Sequence, residues 1–319
     1  TLYALFWPVP IDPEGWTPPL APAFEGIYAE NDLLAETEII AAGNVGGEAV
    51  AFDSTGQLYT GLEDGRIIRT DSGGGNVEVF AHAEEPLGMD FAPDGNLIVA
   101  DASHGLLSIN PQGEITELIL TGGDEPFLWF NDLDVATDGK IYFSHSSTKF
   151  RVKEATYEAL EHRPNGSFWV YDPATGEAIK LIDNMYLANG VTLSPNEDFV
   201  LISEMNKYRI WRYWLAGPLA GTKDIFIENL PGFPDNITSN GAGTFWLALG
   251  AGPAVRATLD NLHPTPFLKK LVLRIPQSLQ PSPTHQGYII GLSLDGNVIY
   301  NMQDLSGTTF APTTSAIEK

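Results

Sequence analysis

One phrase recurs five times between residues 48 and 248: a short apolar strand, a turn rich in Asp, Asn and Gly, and a second apolar strand. The first instance, Glu48–Asp53, turns at Gly56 into Gln57–Gly61. The second, Leu87–Phe91, turns at Asp94-Gly95 into Leu97–Ala100. The third, Asn131–Val135, turns at Asp138-Gly139 into Ile141–Ser144. Asn189–Leu193 turns at Pro195-Asn196 into Phe199–Ser203, and Asp235–Thr238 turns near Gly243 into Phe245–Ala248. Each reads as a hairpin, with strand residues on either side of a turn dipeptide. One or two further strands follow, such as Ile67–Thr70 with Val77–Phe80 and Leu106–Ile109 with Glu114–Leu118. Four strands per unit, returning about every 40 to 55 residues, is the pattern of propeller blades. A β-sandwich has no reason to repeat one phrase with a polar residue always at its entrance.

The count points to an all-β, six-bladed propeller with four-stranded blades. The sixth inner strand would be Thr313–Glu318, and Ala35–Ile40 would be its outermost strand, joining the two ends of the chain. The middle strands of that blade have no text, so the last blade is expected to be incomplete and the recorded chain to be cut short. Two insertions interrupt the rhythm, at about 149–166 and 251–285, where Val152–Leu160 and Phe267–Ile275 have helical spacing. Long insertions within a repeat are usually functional, and these two are expected to form a lid over one end of the channel. The propeller is expected over 35–319, and residues 1–34 form an apolar and Pro-rich arm. Its first ten residues, Thr1–Pro10, resemble the outer end of a membrane anchor or signal segment, although they are too short to span a bilayer. A hydrophobic arm packed on the domain is the alternative.

Charge narrows the partners. Lys and Arg number 17 against 41 Asp and Glu, a formal net charge of -24. Nucleic acid is thereby an improbable partner, as is an anionic membrane surface, while cations would be gathered. Association with a membrane through the N-terminus or the lid stays open. Without cysteine there are no disulfides or thiolate metal sites.

In a propeller the entrances of the inner strands converge on the axis. Glu48, Asn131, Asn189, Asp235 and Asn236 would meet there, offering two carboxylates and three carboxamides. An all-oxygen shell of this kind suits a hard divalent cation, Ca²⁺ above Mg²⁺.

At these residues the chain resembles a known superfamily. The segments Gly46–Asp53 (GGEAVAFD), Phe130–Val135 (FNDLDV), Leu187–Val191 (LANGV) and Phe233–Ile237 (FPDNI) look like the metal-site motifs of gluconolactonases, paraoxonases and strictosidine synthase-like proteins. Tyr213–Pro218, Asn229–Asn236 and Leu262–Lys270 are similar to the running text of the strictosidine synthase-like branch. The resemblance implies a six-bladed propeller with one calcium ion in the central tunnel, held by Glu48, Asn131, Asn189, Asp235 and Asn236. It also marks two departures. The paraoxonase histidine pair has no evident counterpart, since the matching entrance reads Pro86-Leu87-Gly88. A second calcium is not expected, because the position after Glu48 is Ala49.

The branch includes a plant alkaloid synthase that needs no metal, whereas hydrolytic relatives use calcium as a Lewis acid. A full ligand set therefore favours a calcium-dependent hydrolase of lactones or aryl esters, with promiscuous phosphotriesterase activity. Asp235 is the first candidate for base or nucleophile. Asp132 is a candidate support beside a ligand, and His145 a proton shuttle if it reaches the channel. Specificity would lie in side chains such as Trp129 and Phe267. The alternative is a non-catalytic propeller that uses calcium as a structural pin and binds a small molecule or partner through its lid face. An extracytoplasmic location is the corresponding expectation.

Overall fold

In the computed structural model, which describes residues 6–40, 43, 46–122, 125–276, 286–307 and 311–319, each strand-turn-strand phrase forms the two inner strands of a four-stranded antiparallel sheet. There are five such sheets. Their first strands are Val50–Phe52, Pro86–Phe91, Phe130–Val135, Ala188–Leu193 and Phe233–Ser239, and each sheet runs outward in sequence order. Burial explains the text of the strands. The second strands Leu97–Asp101, Ile141–His145 and Phe199–Glu204 are buried at every residue, as expected where a strand is covered on both faces. The outermost strands Ile115–Ile119 and Lys223–Ile227 are largely exposed and carry Glu117, Lys223 and Asp224. Glycines at positive φ, such as Gly95 and Gly139, close the inner hairpins.

The sheets pack face to face as blades. Separate apolar cores fill the junctions between blades 1 and 2 (Tyr59, Met89, Val99), 2 and 3 (Leu106, Phe130, Phe143), 3 and 4 (Phe168, Val191, Ile202), and 4 and 5 (Leu201, Phe233, Phe245). Carboxylates, one buried and two half-buried, reinforce two junctions. Asp90 accepts from Val135 N at 3.1 Å, Asp132 from Val191 N at 2.8 Å, and Asp134 from Leu193 N at 2.7 Å.

The structure corrects the expected six blades to five. Among the described residues no sixth four-stranded sheet is present, and the two segments assigned to it form no strand. Residues 35–40 continue from a turn closed by Ala35 N to Asp32 O and Thr37 N to Leu34 O. Residues 313–319 are a single strand-like stretch without a ladder, lying between blades 5 and 1. Thr314 O accepts from Asn236 N at 3.1 Å, Thr314 Oγ1 donates to Glu48 O at 2.9 Å, and Thr238 Oγ1 donates to Ala316 O at 2.6 Å. The alternating text at the C-terminus reflects a segment sandwiched between two blades, and it lacks the neighbouring strands that a blade requires.

The first insertion contains a helix, α1 (Ala155–Glu161), and the second contains α2 (Pro253–Leu262) and α3 (Pro266–Leu273). Residues 277–285 of the second lie outside the described residues. The N-terminal arm joins the two insertions. Asp12 N donates to Glu161 Oε2 at 2.8 Å, Trp16 N to His263 O at 3.0 Å, and Lys269 Nζ to Glu14 O at 2.7 Å. Ile11 is buried with Phe150 and Leu160, against Leu259 and Leu273. No helix among the described residues is long and apolar enough to cross a membrane.

Candidate metal centre

The inner strands share an irregularity. In blades 2 to 5 the pairing of first and second strands skips two residues: Leu87 and Gly88, Asn131 and Asp132, Asn189 and Gly190, Asp235 and Asn236. In blade 1 Glu48 and Ala49 hold the same place, just before the Val50–Thr60 pair that corresponds to Met89–Val99. A bulge of this kind re-aims side chains that a regular ladder would hold above and below the sheet. All five candidate ligands fall on these positions, which turn toward the axis.

The close approach of neighbouring strands depends on two glycines. A Cβ at Gly190 would lie 2.4 Å from Asp235 O and 2.6 Å from Ile237 N, and one at Gly88 would lie 2.5 Å from Asp132 Cα. Neither position has room for a side chain, so blades 4 and 5, and blades 2 and 3, meet at backbone distance beside the site.

Each carboxamide is oriented through its nitrogen. Asn131 Nδ2 donates to Ser146 Oγ at 3.0 Å, and Ser146 Oγ in turn donates to Ala188 O at 2.7 Å. Asn189 Nδ2 faces Met205 Sδ at 4.0 Å, and Asn236 Nδ2 reaches Glu48 O at 3.4 Å. The oxygens are left over. Asn131 Oδ1, Asn189 Oδ1, Asp235 Oδ1 and Asn236 Oδ1 are all buried without a hydrogen-bond partner. A buried acceptor without a partner costs roughly 1–3 kcal/mol, and four at the bulges of three blades form a set that a cation would satisfy together. The residues fit a hard divalent ion: five oxygen donors, two of them carboxylates, on separate rigid strands. Among the described residues no three carboxylate, imidazole or thiolate groups cluster as a metal site, consistent with a shell made mainly of carboxamides.

Electrostatics tie the carboxylates into one group. Burial, and then the charge of Glu48, push the Asp235 carboxyl well above the usual range. Glu48 is raised to about 7 by burial, and Asp132 to about 8 by burial, with smaller contributions from Asp134 and Glu48. Such shifts belong to carboxyls whose negative charge lacks a counter-charge.

Of the candidate catalytic residues, the structure brings Asp235 and Asp132 to this end of the axis. Asp132 holds blade 4 through Val191 N. His145 has a different setting. It is fully buried in the wall of blade 3, packed edge-on against Phe127 at 4.9 Å, with Nε2 accepting from Leu128 N at 3.1 Å. Burial lowers its pKa to about 3, so the ring stays neutral. Phe267 is 52% exposed on α3, away from the buried ligand positions. Sequence reasoning missed Ser146 and Met205, which orient the carboxamides. Their only sequence signal is their place just after the second strands of blades 3 and 4.

Comparison with known proteins places the chain. The family model described as "Strictosidine synthase" matches residues 131–218, and that described as "Strictosidine synthase-like, N-terminal" matches 26–70. The bovine adipocyte plasma membrane-associated protein is 34% identical over 93% of this chain and 77% of its own length. The strictosidine synthase-like protein 10 of Arabidopsis thaliana is 33% identical over 89% of this chain and 85% of its own. Among solved structures, a gluconolactonase from Xanthomonas campestris superposes with a TM-score of 0.57 at 16% identity, over 82% of this chain and 75% of that one. A calcium-binding regucalcin from Agrobacterium tumefaciens superposes with a TM-score of 0.56 at 17% identity, over 80% and 73%. At these identities the structures share the fold.

Proposed function

The chain belongs to the strictosidine synthase-like family, and from that premise we propose that it is a calcium-dependent hydrolase of lactones or aryl esters, with promiscuous action on phosphotriesters. The observation that carries this reading is the set of four buried side-chain oxygens, on Asn131, Asn189, Asp235 and Asn236, left without partners at the bulges of three blades beside Glu48. A single Ca²⁺ held by these five residues would supply Lewis-acid stabilisation of charge developing on a carbonyl or phosphoryl oxygen. The printed names of two solved relatives, a gluconolactonase and a calcium-binding regucalcin, agree with this chemistry.

The chain's own residues divide the remaining work. Asp235 brings one oxygen without a partner to the axis, while the other lies against Gly250, where a Cβ would approach it to 2.1 Å. That packing fixes the carboxylate plane, so the free oxygen is held ready to attack or to take a proton from water. Asp132 positions, through its bond to Val191 N, the strand that carries Asn189. We assign His145 a structural role, because a ring kept neutral by burial, with Nε2 already accepting from Leu128 N, does not change charge near neutral pH. The name of the bovine relative agrees with a membrane-associated location.

The test is a screen of lactones, aryl esters and phosphotriesters in calcium and in chelator, with Asp235→Asn alongside. The reading predicts hydrolysis that chelator abolishes and that the variant lacks. Hydrolysis unaffected by chelator, or absent from every substrate while calcium still raises the melting temperature, would leave the ion as a structural pin.

A further inference from the structure

Leu87 stands at the position in blade 2 that Asn131, Asn189 and Asp235 hold in their own blades. It therefore turns an isobutyl group toward the centre where its equivalents turn oxygens. It does not stand alone. Leu87, Met205, Val152 and Ala155 pack, half-buried, against the buried cluster of Ala102, Trp129 and Leu187. Three of these residues tie the cluster to the ligand shell: Met205 faces the Asn189 carboxamide, and Leu187 and Trp129 stand two residues before Asn189 and Asn131 in the chain. Val152 and Ala155 come from the first insertion, so the lid completes the same wall. Within this apolar surface one polar group has no partner, the Trp129 indole N–H, although the residue is only 4% exposed. A buried donor left unpaired is costly, and an incoming acceptor atom would relieve it.

We infer that Leu87 and Trp129 determine specificity at this site: the wall formed by Leu87, Trp129, Leu187 and Met205 receives an apolar alkyl or aryl group, and the Trp129 N–H donates to an oxygen of the same substrate. The inference rests on the hydrolase reading above and narrows its substrate to lactones or esters bearing a hydrocarbon substituent. A polyhydroxylated lactone is disfavoured by the same geometry. Its hydroxyls would be stripped of water against a surface that returns a single hydrogen bond, and buried hydroxyls without partners are rejected strongly.

The experiment measures kcat/KM, in calcium, for γ-lactones with side chains from methyl to hexyl and for glucono-1,5-lactone, in wild type, Leu87→Asn, Leu87→Met and Trp129→Phe. Wild type should gain about fourfold per added methylene over the first members of the series, the factor expected for burying a CH₂, and should turn over gluconolactone least. Leu87→Asn should flatten the series and narrow the gap to gluconolactone, while Leu87→Met keeps the slope. Trp129→Phe should lower kcat/KM by about tenfold, the value of a lost hydrogen bond, with the slope unchanged. Because slopes and substrate ratios are read within one preparation, partial misfolding of a Leu87 variant does not mimic these results, and the Trp129→Phe loss is expressed per calcium-binding chain, counted by titration; a Trp129→Phe rate equal to wild type on that basis overturns the role of the indole. Hydrolysis with a flat series in wild type, a preference for gluconolactone, or a slope indifferent to Leu87→Asn overturns this inference and leaves the hydrolase reading standing. Absence of hydrolysis for every lactone in calcium overturns this inference, and the hydrolase reading falls with it when the aryl esters and phosphotriesters of the screen above are also left intact.

Discussion

Asp235 shows how far single residues were legible. Its type and its place before an apolar strand marked it as an oxygen donor, and alignment with Glu48, Asn131 and Asn189 gave the rest of the shell. The orientation of the donors was hidden, because it depends on Ser146 and Met205, which come from other strands and carry no motif. Two outcomes follow from the geometry. Asn189→Ala removes one ligand oxygen and should weaken calcium binding by roughly tenfold or more, since affinity follows ligand number and charge, as isothermal titration would show, with the fold intact by circular dichroism. Gly190→Ala should do more damage with a smaller side chain. Its Cβ would meet the backbone of Asp235 and Ile237 at 2.4 and 2.6 Å, so blades 4 and 5 must separate, and both thermal stability and calcium binding should fall together.

Strands and insertions were legible in proportion to their burial. The second strands of blades 2 and 4 are covered on both faces, so their text is a nearly continuous apolar run; the outer strands follow no such rule and their bounds were vague. The carboxylates that sew blade to blade were not foreseen as a device. Asp132 was read as a support beside a ligand, but Asp90 and Asp134 drew no notice, because an Asp that accepts from the next blade's backbone has the same sequence appearance as a turn residue. Asp134→Ala tests that element. It leaves the Leu193 N–H buried without its acceptor and removes the partner of Thr192 Oγ1, and should cost about 1–3 kcal/mol in denaturant unfolding. The arm is a second element whose role only the structure gives. Trp16 stacks on His162 at 4.4 Å and meets His263 edge-on at 5.3 Å, joining the two insertions. Trp16→Ala should make residues 149–166 and 251–276 more susceptible to limited proteolysis, while the five blades persist.

For the molecule as a whole, the propeller was evident from its repeat and the blade number was not. Counting inner-strand phrases treated Thr313–Glu318 as a sixth, but a blade is defined by its ladder, and this segment is held between blades 5 and 1 mainly by side chains. The acidic centre also gives the molecule a pH signature. Without a cation, Glu48 and Asp132 are raised to about 7 and 8 and Asp235 lies well above its ordinary value. Carboxyls raised in the folded state stabilise it while protonated and lose that contribution as pH rises through the folded values. The chelated protein should therefore melt at a progressively lower temperature from about pH 5 to pH 8. Calcium favours the ionised forms and should flatten the slope over the same range, so the two melting curves should diverge with rising pH. Both behaviours meet in one measurement: titration of calcium into chelator-stripped protein, with melting temperature and ester hydrolysis followed on the same samples. A single site shared by stability and catalysis predicts that the two rise together, saturate at one ion per chain, and are both lost in Asp235→Asn. A rise in melting temperature with no hydrolysis, or hydrolysis already complete before calcium is added, would contradict it.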